Sequence, residues 1–131
     1  MGLFSNLFNS KNSDTSDKKN HLSWIPLTSI DQLSDIEKES AERPQIIFKH
    51  STTCGISSMV LRSFKNSYLL EQNQADVYYL DLQRYRAVSD EVANRFKVYH
   101  QSPQLLMIKN GMVVVHESHG GINALELTDY I

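Results

Sequence analysis

The feature that most restricts the fold of this chain is an alternation of short apolar runs and amphipathic segments that begins near residue 23. The runs are rich in strand-forming residues, and the segments between them carry apolar residues at every third or fourth position, which is typical of helices. The predicted strands are Trp24–Leu27, Gln45–Lys49, Asp76–Leu82, Gln104–Lys109 and Met112–Glu117. The predicted helices run from Ser29 or Asp31 to about Glu42, and over Gly55–Leu69, Ser89–Lys97 and Ile122–Ile131.

This order constrains how the strands pair. Strands joined by helices pair in parallel through right-handed crossovers. Asn110-Gly111, between the last two strands, is the strongest short signal for an antiparallel hairpin. We therefore predict an α/β fold with a mixed four- to five-stranded sheet and helices on both faces.

The first twenty residues have a different composition. Asn9–Asn20 contains no apolar residue, so this stretch cannot bury enough surface to offset the entropy of ordering. The preceding patch, Met1–Phe8, has neither the basic region nor the cleavage site of a signal peptide. We predict a disordered segment over residues 1–20 and one folded domain over residues 21–131.

Charge and cysteine content exclude several classes of protein. Thirteen basic and fifteen acidic residues give a net charge of -2, which excludes the strongly basic footprint of a nucleic-acid-binding protein. No apolar run approaches the 18 or more residues of a membrane span. The single cysteine excludes an internal disulfide, and a free thiol is typical of a reducing compartment. These features predict a cytoplasmic protein.

The histidines other than His50 carry no predicted role. His116 and His119 have a spacing found in metal sites, but residues at odd separation on a strand point to opposite faces. His21 and His100 lie in predicted loops. We therefore predict no metal site.

Cys54 is the main candidate for chemistry. It follows the second predicted strand and precedes a helix, at the carboxyl end of the sheet where active sites of such folds collect. A helix start presents free N–H groups and favours an anion, and cysteines placed there titrate at roughly 3.5–7.5 rather than near 8.5. The alternative is a buried, inert cysteine. The polar run before Cys54 favours a reactive thiolate.

Other residues are predicted to assist Cys54. Lys49 and His50 could add positive charge near the thiolate, Gly55 opens the helix, and Ser57 lies one turn further on, where it could donate a hydrogen bond. Simple solvation of the helix start is an equal alternative for Ser57.

Two further pairs of residues are predicted to form a substrate-binding edge. Ser102-Pro103 directly precedes a strand, and we predict that Pro103 is cis, lies beside Cys54 and orients the backbone of Ser102 toward a bound thiol. Gly120 and Gly121 leave the backbone open to close approach by a ligand.

The stretch FKHSTTCGIS, Phe48–Ser57, together with W-x-P-L at Trp24–Leu27, resembles the YtxJ-type monothiol bacilliredoxin family of the thioredoxin-fold superfamily. The resemblance implies a thioredoxin-like domain over residues 21–131. It also implies a thiol–disulfide oxidoreductase that uses Cys54 to remove bacillithiol from S-thiolated proteins, with a role in the stress response. Bacillithiol would be a co-substrate, and no cofactor would be tightly bound.

Departures from the thioredoxin pattern argue against a dithiol mechanism. Thioredoxins carry a second cysteine where this chain has Ser57, a buried aspartate where it has Phe48, and a tryptophan where it has Thr53. Monothiol glutaredoxins carry C-G-F-S, which differs by one residue from Cys54–Ser57. An iron–sulfur carrier that uses glutathione and a non-catalytic thioredoxin-fold adaptor are therefore alternative interpretations.

Overall fold

A computed structural model describes residues 22–131, so the predicted disordered segment 1–20 lies outside the described part of the chain. The strands are β1 Trp24–Pro26, β2 Gln45–His50, β3 Asp76–Asp81, β4 Gln104–Lys109 and β5 Met112–Ser118. The α-helices are α1 Asp31–Glu39, α2 Gly55–Ser67 and α3 Arg86–Phe96. Two 3₁₀ helices, His119–Ala124 and Leu127–Tyr130, follow β5.

The strands form one five-stranded sheet in the order β1-β3-β2-β4-β5. β3 pairs in parallel with both β1 and β2, whereas β4 pairs antiparallel with β2 and β5. The predicted mixed sheet is therefore confirmed. Pro26 ends the edge strand β1, where a residue without an N–H breaks no interior ladder.

The predicted hairpin is also confirmed. Asn110 and Gly111 have φ angles of 52° and 78°, the pair of positive values that a type I′ turn requires. Ser40, at the end of α1, holds this turn: its carbonyl accepts from the Asn110 N–H and its hydroxyl oxygen accepts from the Gly111 N–H, each at 2.8 Å.

Alternation along the strands divides the core between the two faces of the sheet. Ile47 and Leu106 face α1 and α3, where they pack with Leu33, Ile36, Val88, Val92 and Phe96. Ile46 and Phe48 face the opposite way and pack with Val60, Phe64, Leu105, Met107 and Ile122. Helices therefore cover both faces, as predicted. Within residues 22–131 no helix is long and apolar enough to cross a membrane.

The predicted final helix over Ile122–Ile131 is wrong. The two 3₁₀ helices replace it, and within them only Ile122 is buried. A short segment that follows two glycines and has one buried anchor gains too little from packing to nucleate an α-helix.

Three details of the predicted helices also differ. α1 ends at Glu39 rather than near Glu42, and its N-cap is Ile30 rather than Ser29 or Asp31. The Gln32 side chain accepts from the N–H groups of Thr28 and Ser29. α3 begins at Arg86, three residues before the predicted start. On α2, the apolar side chains of Ile56 and Met59 are 60% and 64% exposed.

Candidate active site

Cys54 is the N-cap residue of α2, so the prediction that it begins a helix is confirmed. Its extended backbone (φ −106°, ψ 120°) turns the chain from β2 into the helix, and its carbonyl accepts the Ser58 N–H at 3.1 Å. The Cys54 residue is half-buried and makes no side-chain cap bond. The thiol therefore lies at the helix N-terminus, where the backbone favours an anion, with part of its residue open to reactants.

Gln83, in the turn after β3, holds the two residues that precede Cys54. Its Oε1 accepts from the Thr52 N–H at 3.1 Å and from the Thr52 hydroxyl at 3.0 Å. Its Nε2 donates to the Thr53 hydroxyl oxygen at 2.8 Å. The sequence analysis missed Gln83 because it lies thirty residues from its partner Thr53 and belongs to no motif.

His50 and Ser57 contact each other. The His50 Nδ1 lies 2.7 Å from the Ser57 Oγ, which also accepts the Ser51 N–H at 3.1 Å. Ser57 is fully buried and His50 is 5% exposed. Burial lowers the pKa of His50, and the nearby Asp81 carboxylate opposes this effect.

The donor of the hydrogen bond between His50 and Ser57 depends on the tautomer of His50, because the imidazole Nδ1 can accept from or donate to the Ser57 Oγ. Ser57 and His50 connect the first turn of α2 to the end of β2. The hydrogen bond from Ser57 to the Cys54 thiolate stays a prediction.

The expectation that Lys49 lies beside the thiol is also corrected. Neighbouring strand residues point to opposite faces, so His50 faces α2 whereas Lys49 faces α3. The Lys49 Nζ donates to the Ser89 carbonyl of α3 at 3.1 Å, and Lys49 is 0% exposed.

Pro103 is cis, as predicted. Gln104, the next residue, pairs with Lys49 across the antiparallel β2–β4 ladder, so Pro103 lies at the end of the sheet from which the chain continues to Cys54. The Pro103 carbonyl accepts the His119 N–H at 3.0 Å. The prediction that Ser102 and Pro103 bind substrate stays a prediction.

The glycines predicted to matter lie at this same end of the sheet. β5 ends at Ser118, which pairs with Gln104, and Gly120 and Gly121 follow in the first 3₁₀ helix. A Cβ at Gly120 or Gly55 would meet nothing within 4 Å, whereas a Cβ at Gly121 would overlap the Glu117 carboxylate. Open backbone at Gly120 is compatible with ligand approach, and a binding role for both glycines stays a prediction.

Ser57→Cys tests the placement of α2. The Cα atoms of residues three apart on a helix lie about 5 Å apart, within the Cα–Cα range of roughly 4.4–6.8 Å that a disulfide bridges. We expect the introduced thiol to close a disulfide with Cys54 and to shorten the lifetime of a mixed disulfide at Cys54 by on the order of tenfold or more, because the second thiol acts intramolecularly. Intact-protein mass spectrometry after loading Cys54 with a small thiol measures that lifetime.

The matched control is Ser63→Cys, which adds the same thiol at an exposed position of α2. Position 63 lies roughly 13 Å from Cys54 along the helix axis, which is too far for a disulfide. Equal lifetimes in the two variants would contradict the placement of residue 57 beneath Cys54.

One protein family and several solved structures match this chain. A family model described as monothiol bacilliredoxin BrxC matches residues 25–127. A solved structure described as an oxidoreductase with a thioredoxin fold is 38% identical, with a TM-score of 0.68. That alignment covers 81% of this chain and 91% of the other chain.

More distant structures show the fold alone. The thioredoxin of Malassezia sympodialis is 18% identical with a TM-score of 0.65, and the match covers 81% of this chain and 87% of that one. The thioredoxin of Trypanosoma brucei brucei is 14% identical with a TM-score of 0.61, over 82% and 90% of the two chains. The thioredoxin-like fold predicted from the sequence is therefore confirmed.

Proposed function

The chain belongs to the monothiol bacilliredoxin family, and from that premise we propose that Cys54 removes bacillithiol from S-thiolated proteins. The family match and the 38% identical oxidoreductase support a thiol–disulfide oxidoreductase of the thioredoxin fold. The observation that most supports removal of a small thiol by a monothiol mechanism is the half-buried Cys54 at the start of α2, with Ser57 at the position of a second cysteine.

The first step is an exchange at the substrate disulfide. The Cys54 thiolate attacks the bacillithiol sulfur of the mixed disulfide, a new S–S bond forms between Cys54 and bacillithiol, and the substrate cysteine leaves as a thiolate. That thiolate takes a proton from solvent. Electrons balance within the exchange, so the step needs no redox cofactor.

The second step regenerates Cys54. Ser57 cannot resolve the new disulfide, because a serine hydroxyl cannot take the place of a second thiol in thiol–disulfide exchange. A second molecule of a small thiol therefore attacks, forms the small-molecule disulfide and releases Cys54 as thiolate. Bacillithiol is accordingly a co-substrate, and the partners are S-thiolated proteins in the reducing cytoplasm.

Mass transfer between proteins tests this proposal. The protein is mixed with an S-bacillithiolated protein substrate, and intact-protein mass spectrometry follows both chains. We expect the substrate to lose the mass of bacillithiol while this chain gains it at Cys54. An S-glutathionylated copy of the same substrate serves as the matched control and should react more slowly.

Two results would contradict the proposal. No transfer from either substrate would exclude dethiolation and favour a non-catalytic adaptor. Faster transfer of glutathione, together with visible absorption of an iron–sulfur cluster in protein purified without oxygen, would favour the glutaredoxin-like alternative.

A further inference from the structure

A buried cation lies on the face of the sheet opposite Cys54, and the exchange chemistry does not use it. Lys49 is fully buried, and its Nζ donates to the Ser89 carbonyl at 3.1 Å and lies 3.2 Å from the His100 Nδ1. The Ser89 Oγ lies 3.4 Å from the His100 Nδ1 as well. Two donors therefore converge on the His100 Nδ1, which makes it an acceptor and places the ring hydrogen on Nε2.

A second buried polar side chain lies next to Lys49. Gln104 is 1% exposed and pairs with Lys49 across the β2–β4 ladder, and directly opposed residues of such a pair share one face of the sheet. Its Nε2 donates to the Tyr99 carbonyl at 2.8 Å. The Gln104 Oε1 is buried and has no hydrogen-bond partner within the described part of the chain. The Gln104 side chain is therefore held through the contact of its Nε2 with Tyr99.

Both side chains reach the same stretch of chain, residues 97–103, which we call the proline segment. Lys49 contacts its fourth residue, His100, and Gln104 contacts the residue before that, Tyr99. The segment lies between α3 and β4 and ends at the cis Ser102-Pro103 bond. The two contacts therefore fix the part of the backbone that leads into Pro103, at the end of the sheet where Cys54 lies.

We propose that Lys49 and Gln104 are positioning residues that clamp the proline segment, and that this clamp sets how tightly a protein substrate docks beside Cys54. The proposal rests on the proposed function, since it concerns the docking of S-thiolated proteins. An extended substrate binds through main-chain hydrogen bonds to a backbone edge, and such binding requires that the edge be held in place beforehand.

Burying a lysine for this purpose has a cost, which argues against packing as its only role. An apolar side chain of similar size often stabilises a core more than a buried charged group does. Burial lowers the pKa of Lys49 from 10.5 to about 8, and the Asp90 carboxylate of α3 opposes this shift. Lys49 is therefore still an ammonium at neutral pH and binds its two acceptors with charge-assisted hydrogen bonds.

The clamp is sensitive to acid through His100. Three charged groups face this imidazole: Lys49 from β2, and Arg86 and Asp90 from α3. Burial lowers the pKa of His100, Lys49 and Arg86 lower it further, and Asp90 raises it. When His100 takes a proton it can no longer accept from Lys49, and the two cations repel. Docking should therefore weaken as the pH falls below the ordinary histidine range.

Steady-state kinetics with an S-bacillithiolated protein substrate test the clamp. We expect Lys49→Met to raise KM about tenfold, the effect of losing one charge-assisted hydrogen bond of about 1.5 kcal/mol, and to change kcat less than twofold. Lys38→Met, at an exposed lysine of α1, is the matched control and should leave both parameters unchanged. His100→Ala should raise KM similarly, and because His100 is exposed this variant does not depend on repacking of the core.

A conservative variant separates positioning from general structural damage. Asparagine places an oxygen near the position of the histidine Nδ1, so His100→Asn should keep KM within about twofold of the wild type. His100→Asn should also weaken the rise in KM at acid pH, because the asparagine cannot take the proton that His100 takes. His50 is present in both the wild type and His100→Asn, so any contribution of His50 to the acid effect remains in both.

The outcomes distinguish this inference from the proposed function. An active wild-type protein whose KM is unchanged by Lys49→Met and His100→Ala would overturn the clamp and leave dethiolation intact. Equal losses in His100→Ala and His100→Asn would likewise overturn it. A wild-type protein that is inactive on the S-bacillithiolated substrate would contradict the proposed function itself.

Discussion

Cys54→Ser should reduce dethiolation to the uncatalysed background. Cys54 is the only cysteine of the chain, and the serine hydroxyl is neither ionised near neutral pH nor able to form a mixed disulfide. The stability of the fold should change by no more than about 0.5 kcal/mol, because the half-buried Cys54 side chain makes no cap bond. Release of the small thiol from an S-thiolated protein, followed by mass spectrometry, measures the activity.

Two companion measurements make this result decisive. Thermal unfolding of Cys54→Ser and Cys54→Ala should show that both variants retain the fold. Ser63→Ala, at an exposed serine of the same helix, should keep full activity. Residual turnover of either Cys54 variant above the background would show that Cys54 is not the nucleophile.

Lys49→Met should stabilise the protein at neutral pH by up to about 3 kcal/mol. The pKa of Lys49 falls from 10.5 to about 8 on folding, mainly through burial, and each pKa unit corresponds to about 1.4 kcal/mol. Because the folded pKa is depressed, the cost is fully present below pH 8. Between pH 8 and 10.5 the unfolded chain binds more protons than the folded one, so the wild-type protein gains stability as the pH rises.

Urea unfolding across this pH range measures the effect. The advantage of Lys49→Met should be largest near pH 7 and should shrink as the pH approaches 10.5. Tyr68, whose pKa burial and Asp76 raise to about 12, is present in both proteins, so its contribution cancels. A difference that stays constant with pH would mean that Lys49 is not desolvated by folding.

Together with the clamp, this prediction describes a residue that lowers stability in exchange for activity. Lys49→Met is expected to fold better and to dock its substrate worse. Such opposed effects are typical of side chains that are kept for function rather than for packing. If Lys49→Met changed neither the free energy of unfolding nor KM, Lys49 would serve only to fill space in the core.

The sequence by itself determined the order of the elements as far as β5, the Asn110-Gly111 hairpin, the position of Cys54 at a helix start and the cis bond before Pro103. Each of these depends on local physics. Apolar periodicity selects strand or helix, two residues with positive φ select the turn, and a proline before a strand lowers the cost of a cis bond.

Tertiary structure alone decided which side chains meet. Lys49 and His50 are neighbours in sequence, yet one contacts α3 and the other α2, because alternation sends them through opposite faces of the sheet. Gln83 reaches Thr53, and Lys49 reaches His100, across 30 and 51 residues. The final helix was mispredicted for a related reason, since a short segment becomes α-helical only where packing stabilises it. Such contacts follow from strand register and from the packing of helices on the sheet, and neither is encoded within the few residues that a motif spans.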